Sequence, residues 1–147
     1  MPNTEPDLSV TRDNTVHVAV GVVVNRDKRV LVARRHESQH QGGLWEFPGG
    51  KVAPGETVLQ ALARELQEEV NIAVRECSSL LKIAHDYGDK HVLLDVMVVN
   101  VFSGEAKGLE GQPVKWVTAS ELADMEFPTA NREIVELVRS LLDHRNH

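Results

Sequence analysis

Residues 50–72, GKVAPGETVLQALARELQEEVNI, are the stretch on which the interpretation of the whole chain depends. They join a loop rich in glycine and proline to the start of a helix. Thr57 and Gln60 have the spacing of a capping box, so a helix is predicted to begin near Thr57 and to end at about Val70. Asn71 suits the left-handed conformation that ends many helices.

Three glutamates of this predicted helix share one face. At about 100° per residue, Glu65, Glu68 and Glu69 lie together, and Glu69 borders the apolar stripe that must be buried. Like charges at this spacing repel, and they repel more when partly buried. Mg²⁺ or Mn²⁺ would offset that repulsion, whereas a solvated acidic face is the alternative that these residues leave open. The apolar stripe consists of Leu59, Leu62, Leu66 and Val70.

Apolar runs on either side of this stretch predict the remaining elements. Strands are expected at residues 16–24, 29–34, 80–85, 90–102 and 114–117. A short helix is expected at 121–124, capped by Ser120, and a last helix at about 127–142. Core spacing in the last helix is predicted for Ile134, Leu137, Val138 and Leu141. Because strands and helices alternate irregularly, we expect an α/β (α+β) layered fold around a mixed β-sheet.

Length and composition set outer limits on function. The 147 residues predict one domain over residues 16–147 after a flexible tail at 1–15, and the net charge of −6 argues against a surface for duplex nucleic acid. A single cysteine, Cys77, allows neither an internal disulfide nor a thiolate zinc site. No apolar run approaches the ~20 residues that span a bilayer, and no signal peptide is recognised. A cytoplasmic monomer or homodimer without a membrane partner is therefore expected.

Residues 50–72 also carry a family resemblance. The pattern G-x5-E-x7-R-E-U-x-E-E-x-G-U, where U is apolar, is the Nudix box, and only Asn71 departs from it, in place of the last glycine. Asparagine is the next-best residue for a left-handed helix end, so the departure should be tolerated. The flanking segments 45–52 (WEFPGGKV), 108–113 (GLEGQP) and 127–131 (FPTAN) look like the MutT branch, the 8-oxo-dGTP diphosphatases. The matching box residues are Gly50, Glu56, Arg64, Glu65, Leu66, Glu68, Glu69 and Ile72.

The resemblance covers residues 16–142 and implies a Nudix-type α/β/α sandwich that hydrolyses a small nucleotide with the help of Mg²⁺ or Mn²⁺. The implied reaction is attack of water on the β-phosphorus of 8-oxo-dGTP, which yields the monophosphate and pyrophosphate and so removes an oxidised, mutagenic nucleotide from the pool. Glu65 is the first choice as general base, with Glu110 and Glu56 as alternatives. Glu56 and Arg64 are expected to pair and to brace the loop against the helix. The implied metal ligands are Glu65, Glu68, Glu69, Glu110 and the carbonyl of Gly49.

The same resemblance places substrate recognition outside the helix. Asn131 matches the residue that meets the purine edge, where its amide can accept from N7–H of 8-oxoguanine and donate to O6. Taken alone, Asn131 would be interpreted as a cap or turn residue, and Lys51 and His40 could be solvated surface residues. Tyr87 and Asp89 are weaker candidates. The other implied substrate contacts are Arg35, His40, Glu46, Phe47, Pro48, Gly49 and Lys51.

Two alternative functions remain open at this point. One is a Nudix pyrophosphohydrolase for CTP, 5-methyl-dCTP or other nucleoside triphosphates. The other, from a different class, is a non-catalytic Nudix domain that senses nucleotides. Domains of the second kind usually lose glutamates of the box, and this chain keeps Glu65, Glu68 and Glu69.

Overall fold

The computed structural model describes residues 15–36, 43–86, 88 and 90–145. The predicted tail at 1–15 lies almost wholly outside them. No helix among these residues is long and apolar enough to cross a membrane. The elements in chain order are β1 (Thr15–Val23), β2 (Val30–Arg34), β3 (Trp45–Glu46), β4 (Gly49–Lys51), α1 (Val58–Val70), β5 (Ala73–Asp86), β6 (His91–Ser103), β7 (Val114–Val117), α2 (Ala119–Ala123), a 3₁₀ turn (Thr129–Asn131) and α3 (Arg132–Arg145).

The strands form two sheets. The larger sheet is mixed, with the strand order β4–β1–β6–β5. Among the residues that the structure describes, its only parallel pair is β1 with β6. The smaller sheet is antiparallel, with the order β3–β2–β7. The predicted mixed sheet is confirmed, while the separate three-stranded sheet was not anticipated.

Strand β1 explains the layering, because its two faces belong to two different cores. Neighbouring residues of a strand point to opposite sides of the sheet. Val20 and Val22 pack in one core with Ile134 of α3, whereas Ala19 and Val23 pack in a second core that contains α1. Helices therefore cover both faces of the sheet, as the predicted α/β/α sandwich requires.

Helix α1 begins and ends as predicted. Thr57 and Gln60 form both hydrogen bonds of the capping box, and Asn71 adopts a left-handed conformation with φ of 65°. The apolar stripe was partly wrong, because Leu59 is 53% exposed. Val58, its neighbour in the first turn, packs against the second core instead. The buried residues of the helix are Ala61, Leu62, Leu66 and Val70.

Two other element boundaries differ from the predictions. Strand β5 spans 14 residues instead of the expected six at 80–85. Among the described residues it is an edge strand that pairs only with β6, and it shifts register between Val74 and Leu81, so its alternation of apolar and polar residues is broken. Helix α2 is capped by Thr118, not by Ser120, because Glu121 completes a capping box with Thr118.

The last helix also starts and packs differently from the prediction. A 3₁₀ turn precedes α3, so Asn131 ends a turn and does not lie inside a continuous helix. Leu137, predicted as core, is 39% exposed, and the fully buried positions are Ile134, Val138 and Leu142. These three positions are four residues apart, so they lie along one face of α3, and they pack in the same core as Val20 and Val22 of β1.

Strand β6 carries a buried charge that the sequence reading did not assign. Asp95 is almost fully buried, pairs across the strands with Lys82 of β5, and has Nε2 of His17 at 3.2 Å from its Oδ2. Burying a carboxylate is costly unless it is paired. The His17–Asp95 pair therefore stabilises the parallel junction of β1 with β6.

Candidate active site

The loop before α1 is clamped to the helix by one arginine. Nε and Nη2 of Arg64 donate to the two carboxylate oxygens of Glu56 at 2.7 and 2.9 Å, and Nη2 also donates to the carbonyl of Lys51 at 3.1 Å. Glu56 accepts a further bond from the Ala53 amide at 2.8 Å. The predicted pairing of Glu56 with Arg64 is thus present, and these hydrogen bonds hold the pKa of Glu56 down to about 2.

Glu65 lies at the centre of the helix face that looks onto β4. Its Oε2 accepts from Nη1 of Arg64 at 2.9 Å. Its carboxyl group lies over Gly50, where a Cβ atom would come within 2.3 Å of it. Any larger side chain at Gly50 would push this carboxylate away. Glu68, one turn further on, is 60% exposed and reaches Arg64 only at 3.5 Å.

Glu69 is the most perturbed carboxylate of the helix. Its carboxylate accepts a hydrogen bond from the Gly49 amide, yet its Oε1 is buried without a partner among the described residues. Burial, followed by the negative charges of Glu46 and Glu110, raises the pKa of Glu69 to about 8. A buried acceptor beside other carboxylates is the environment that a cation would relieve.

Glu110 reaches this site through a loop that docks on the end of α1. The Leu109 amide and Nε2 of Gln112 both donate to the carbonyl of Glu69, at 3.0 and 3.1 Å. The Glu110 amide in turn donates to Oε1 of Gln112 at 2.9 Å. The loop thereby satisfies a carbonyl at the helix end and brings the charge of Glu110 close to Glu69. Gln112 was missed as a site residue, although it lies inside the GLEGQP segment.

The donor groups fit a hard divalent cation. They are carboxylates and a backbone carbonyl, and the unpartnered Oε1 of Glu69 is the most direct sign of a missing positive charge. No three histidine, cysteine, aspartate or glutamate side chains within the described ranges converge enough to hold a metal unaided. A cation that takes few protein ligands and completes its shell with water and phosphate fits both observations.

Gly49 has a steric reason to be glycine. It pairs with Val20 across β4 and β1, and a Cβ atom at Gly49 would lie 2.0 Å from the Ala19 carbonyl oxygen. The close approach holds the backbone of Gly49 against the sheet, beside Glu69. Pro48, predicted as a substrate contact, is buried, and its carbonyl accepts from the Gly21 amide at 2.8 Å. Pro48 does not line the cavity that opens beside these carboxylates.

A cavity of about 660 Å³ opens on the α3 side of the sheet, next to the carboxylates. It brings together six residues predicted for substrate contact, which are Arg35, Glu46, Phe47, Gly49, Lys51 and Asn131. The sequence reading missed the apolar lining of the cavity and one cation at its edge. The signal for the apolar lining was present in the strand segments that are apolar on both faces. The missed residues are Val16, Val18, Val92, Leu94 and Lys90.

Arg35 and Glu46 form an ion pair in the cavity wall. Nη1 of Arg35 donates to Oε1 of Glu46 at 2.6 Å. Burial raises the pKa of Glu46, and the neighbouring Arg35 opposes that rise while Glu110 adds to it. Glu46 is therefore electrostatically linked both to Arg35 in the cavity and to Glu69 on the helix.

Phe47 and Asn131 contribute to the cavity in different ways. Phe47 is only 5% exposed and stacks on Phe127 at 5.1 Å between ring centroids, so it acts as a packed wall. Asn131 is held by its backbone amide, which donates to the Pro128 carbonyl at 2.9 Å. Its side chain has no hydrogen-bond partner in the described part of the chain, so it is not used as a cap. His40, Tyr87 and Asp89 lie outside the described residues.

Comparisons with known proteins agree with this arrangement. A family model for the NUDIX domain matches residues 19–137. An 8-oxo-dGTP diphosphatase of Escherichia coli K12 is 36% identical over 126 residues, which cover 86% of this chain and 98% of that protein. A CTP pyrophosphohydrolase of the same organism is 33% identical over 78% of this chain and 84% of its own length. A solved structure from work on MutT of Aliivibrio salmonicida and Vibrio cholerae superposes with a TM-score of 0.79 at 37% identity, covering 86% of this chain and 98% of that one.

Proposed function

The chain belongs to the NUDIX domain family and is a Nudix hydrolase, and from this premise we propose that it hydrolyses 8-oxo-dGTP to 8-oxo-dGMP and pyrophosphate. The observation that carries the proposal is the contact between two functional regions. The carboxylates of α1 and the cavity meet at Gly49 and Gly50, and Glu46 links them electrostatically. A nucleotide with its base in the cavity would extend its phosphates toward the carboxylates.

The metal requirement is part of this proposal. Glu65, Glu68, Glu69, Glu110 and the carbonyl of Gly49 would hold Mg²⁺ or Mn²⁺, which when bound neutralises phosphate charge and lowers the pKa of water. The buried, unpartnered Oε1 of Glu69 supports its place in that set. Lys51 and Arg35 line the same cavity and supply positive charge for phosphate oxygens.

Glu65 is the best-placed base for the attacking water. One of its oxygens is engaged by Arg64, and its carboxyl group faces the backbone of Gly50 at the junction with the cavity. Glu56 is poorly suited, because Arg64 and the Ala53 amide occupy its oxygens and lower its pKa to about 2. As water attacks the β-phosphorus, Glu65 takes its proton, and the bond from that phosphorus to the α–β bridging oxygen breaks.

Base selection is assigned to Asn131. Its unpartnered amide can accept from N7–H of 8-oxoguanine and donate to O6, whereas guanine presents a lone pair at N7. Opposite guanine, the amide oxygen of Asn131 would face the N7 lone pair and would be left desolvated without a hydrogen-bond donor. Such a mismatch discriminates strongly between the two bases. The apolar walls of the cavity contact the base without distinguishing between these two purines.

The proposal is tested with a substrate panel in the presence of Mg²⁺. We would compare kcat/KM for 8-oxo-dGTP, dGTP, CTP, 5-methyl-dCTP and ADP-ribose. We expect 8-oxo-dGTP to be preferred over dGTP by at least about tenfold, which is roughly 1.4 kcal/mol. A smaller preference would remove the assignment to oxidised purine.

A CTP pyrophosphohydrolase is the second candidate, because a relative of that name is 33% identical. The same panel separates the two, since CTP would then be the best substrate. For the first candidate, we further propose a cytoplasmic role in cleaning the nucleotide pool and avoiding mutation during DNA replication. Expression in a bacterial strain that lacks its own 8-oxo-dGTP diphosphatase should lower the frequency of A·T to C·G mutations, and an unchanged frequency would count against that role.

A further inference from the structure

A second cavity, of about 470 Å³, lies between α2 and the start of α3, and nothing in the proposed reaction uses it. Its volume falls within the range of about 300–1,000 Å³ typical of small-molecule sites. It is separated from the nucleotide cavity by the segment that contains Phe127 and Pro128. The residues that matter for its chemistry are Leu44, Met125, Phe127, Arg132, Val135 and Arg139.

The four charged residues that line this second cavity differ in solvent exposure. Arg132, Glu126 and Glu136 are all exposed, and the Glu136 side chain is 66% accessible, whereas the Arg139 side chain is 40% accessible. The lining is close to neutral in total, because its two arginines face its two glutamates. Arg139 is nevertheless the least exposed of these four charged residues.

Arg139 is incompletely satisfied in this position. Its Nε is buried and has no hydrogen-bond partner among the described residues. Its Nη1 lies 3.7 Å from Oε2 of Glu136, which is an ion pair but too long for a hydrogen bond. A guanidinium offers five donors in a planar fork that suits carboxylate and phosphate. Nε is out of reach of water here, so engaging it requires the guanidinium to turn toward the cavity.

We propose that the second cavity is a binding site for a small amphipathic anion, a phosphomonoester or carboxylate attached to an aromatic or branched apolar group. Arg139 would take the anion, with Arg132 nearer the entrance. Leu44, Met125 and Val135 would cover the apolar group together with Phe127, which lines the same cavity. Inorganic anions alone would miss the apolar wall, and neutral ligands would miss the arginine.

The position of this site links it to the nucleotide cavity. Pro128 lines both cavities, and its carbonyl accepts a hydrogen bond from the backbone amide of Asn131 at 2.9 Å. A ligand in the second cavity would therefore contact the segment that presents Asn131. The binding claim itself does not depend on which nucleotide the enzyme hydrolyses.

The test uses the full chain, free of metal, and isothermal titration with phenyl phosphate and with benzoate. These two probes distinguish a phosphomonoester from a carboxylate. Inorganic phosphate supplies the charge alone and phenol the ring alone, and both are expected to bind at least about tenfold more weakly than the better probe. Titrations are repeated with saturating dGMP, which occupies the nucleotide cavity, and binding of the probe should persist.

Arg139→Met keeps the aliphatic stem and removes the charge, and it should weaken probe binding by about tenfold or more, the effect of one charge-assisted hydrogen bond. Arg139→Lys, a milder change, should fall between the wild type and Arg139→Met. Arg75→Met, on β5 and away from both cavities, is the matched control and should bind like the wild type. Three outcomes would each overturn the proposal. They are displacement of the probe by dGMP, equal binding by Arg139→Met and wild type, and no binding at 10 mM probe, which is roughly the weakest affinity of interest.

Discussion

Arg64 and Asn131 show how differently two parts of the same site are held. Arg64 contacts Glu56, Glu65 and the Lys51 carbonyl, and the most distant of these is only 13 positions away in the chain. Asn131 lines a cavity with Val16 and Glu46, which come from distant segments, and its side chain makes no hydrogen bond in the described structure. The first region is locked by local contacts, while the second is open for a ligand.

The difference separates two properties of the enzyme. The region around α1 holds a buried carboxylate, Glu69, whose pKa is raised to about 8 by burial and by neighbouring negative charges. The cavity that contains Asn131 has apolar walls, and the side-chain amide of Asn131 has no hydrogen-bond partner among the described residues. Changes near α1 should therefore reduce the hydrolysis of every nucleotide, whereas changes in the cavity should alter which nucleotide is preferred.

The largest expected effect is from Glu69→Gln. Loss of this carboxylate should lower kcat/KM with Mg²⁺ by about 10²–10³ for all substrates, as is typical when one preorganised charged group is removed. The metal-free variant should melt no lower than the wild type, because a buried carboxylate with an unpartnered oxygen is replaced by a neutral amide. Glu105→Gln, an exposed loop residue, is the control. Unchanged activity of Glu69→Gln would refute its assignment as a metal ligand.

Arg64→Lys should have the next largest effect. Lysine cannot form the two-pronged contact with Glu56 and also hold Glu65, so both carboxylates would lose their orientation. Activity should fall about 10–100-fold, as for other residues that orient metal ligands. The Mg²⁺ concentration for half-maximal activity should rise at the same time. Arg75→Lys serves as the control, and a normal Mg²⁺ dependence in Arg64→Lys would show that the clamp is only structural.

Asn131→Ala should change selectivity more than rate. Without the amide, the preference for 8-oxo-dGTP over dGTP should shrink by about tenfold, the effect of roughly 1.4 kcal/mol. Measured kcat/KM for dGTP should change by less than the value for 8-oxo-dGTP. Equal losses for both nucleotides would remove Asn131 from base recognition and would make the two regions alike.

The smallest effect concerns pH and metal removal. Because the pKa of Glu69 is raised from 4.5 to about 8, metal-free folded protein favours its protonated form. Its contribution to stability is thus present below pH 4.5 and is lost as the pH rises toward 8. The melting temperature without metal should fall by a few degrees over this range, and added Mg²⁺ should restore more at pH 8 than at pH 6. Glu69→Gln should show a smaller dependence; if it matches the wild type, another group is responsible.

Sequence patterns predicted the local parts of this molecule well. The capping box at Thr57 and the left-handed Asn71 were both correct, because such signals depend on neighbours within one turn. The pairing of Glu56 with Arg64, eight positions apart, was anticipated from the family resemblance. Errors arose where packing decided the outcome, as at Leu59, which is apolar but exposed, and at β5, where the register shifts hide the strand pattern.

The cavity was only half predictable. Arg35, Glu46 and Asn131 were named through family-like segments, and the structure brings them to one cavity. Val18 and Leu94 in its apolar walls were predicted only as strand residues. A strand pattern does not indicate which part of a sheet face the other elements leave uncovered. Gln112 was overlooked for a related reason, since its role depends on the distant carbonyl of Glu69.

The sequence by itself determined the helix that carries the glutamates, the face they share and the loop clamped to it, because these depend on spacing within one short segment. Only the tertiary structure decided that β1 and β6 pair in parallel, that Gly49 lies against Ala19, and that Asn131 faces the same cavity as Glu46. Contacts between distant segments are set by how the two cores pack on the sheet, and this packing is a property of the whole chain.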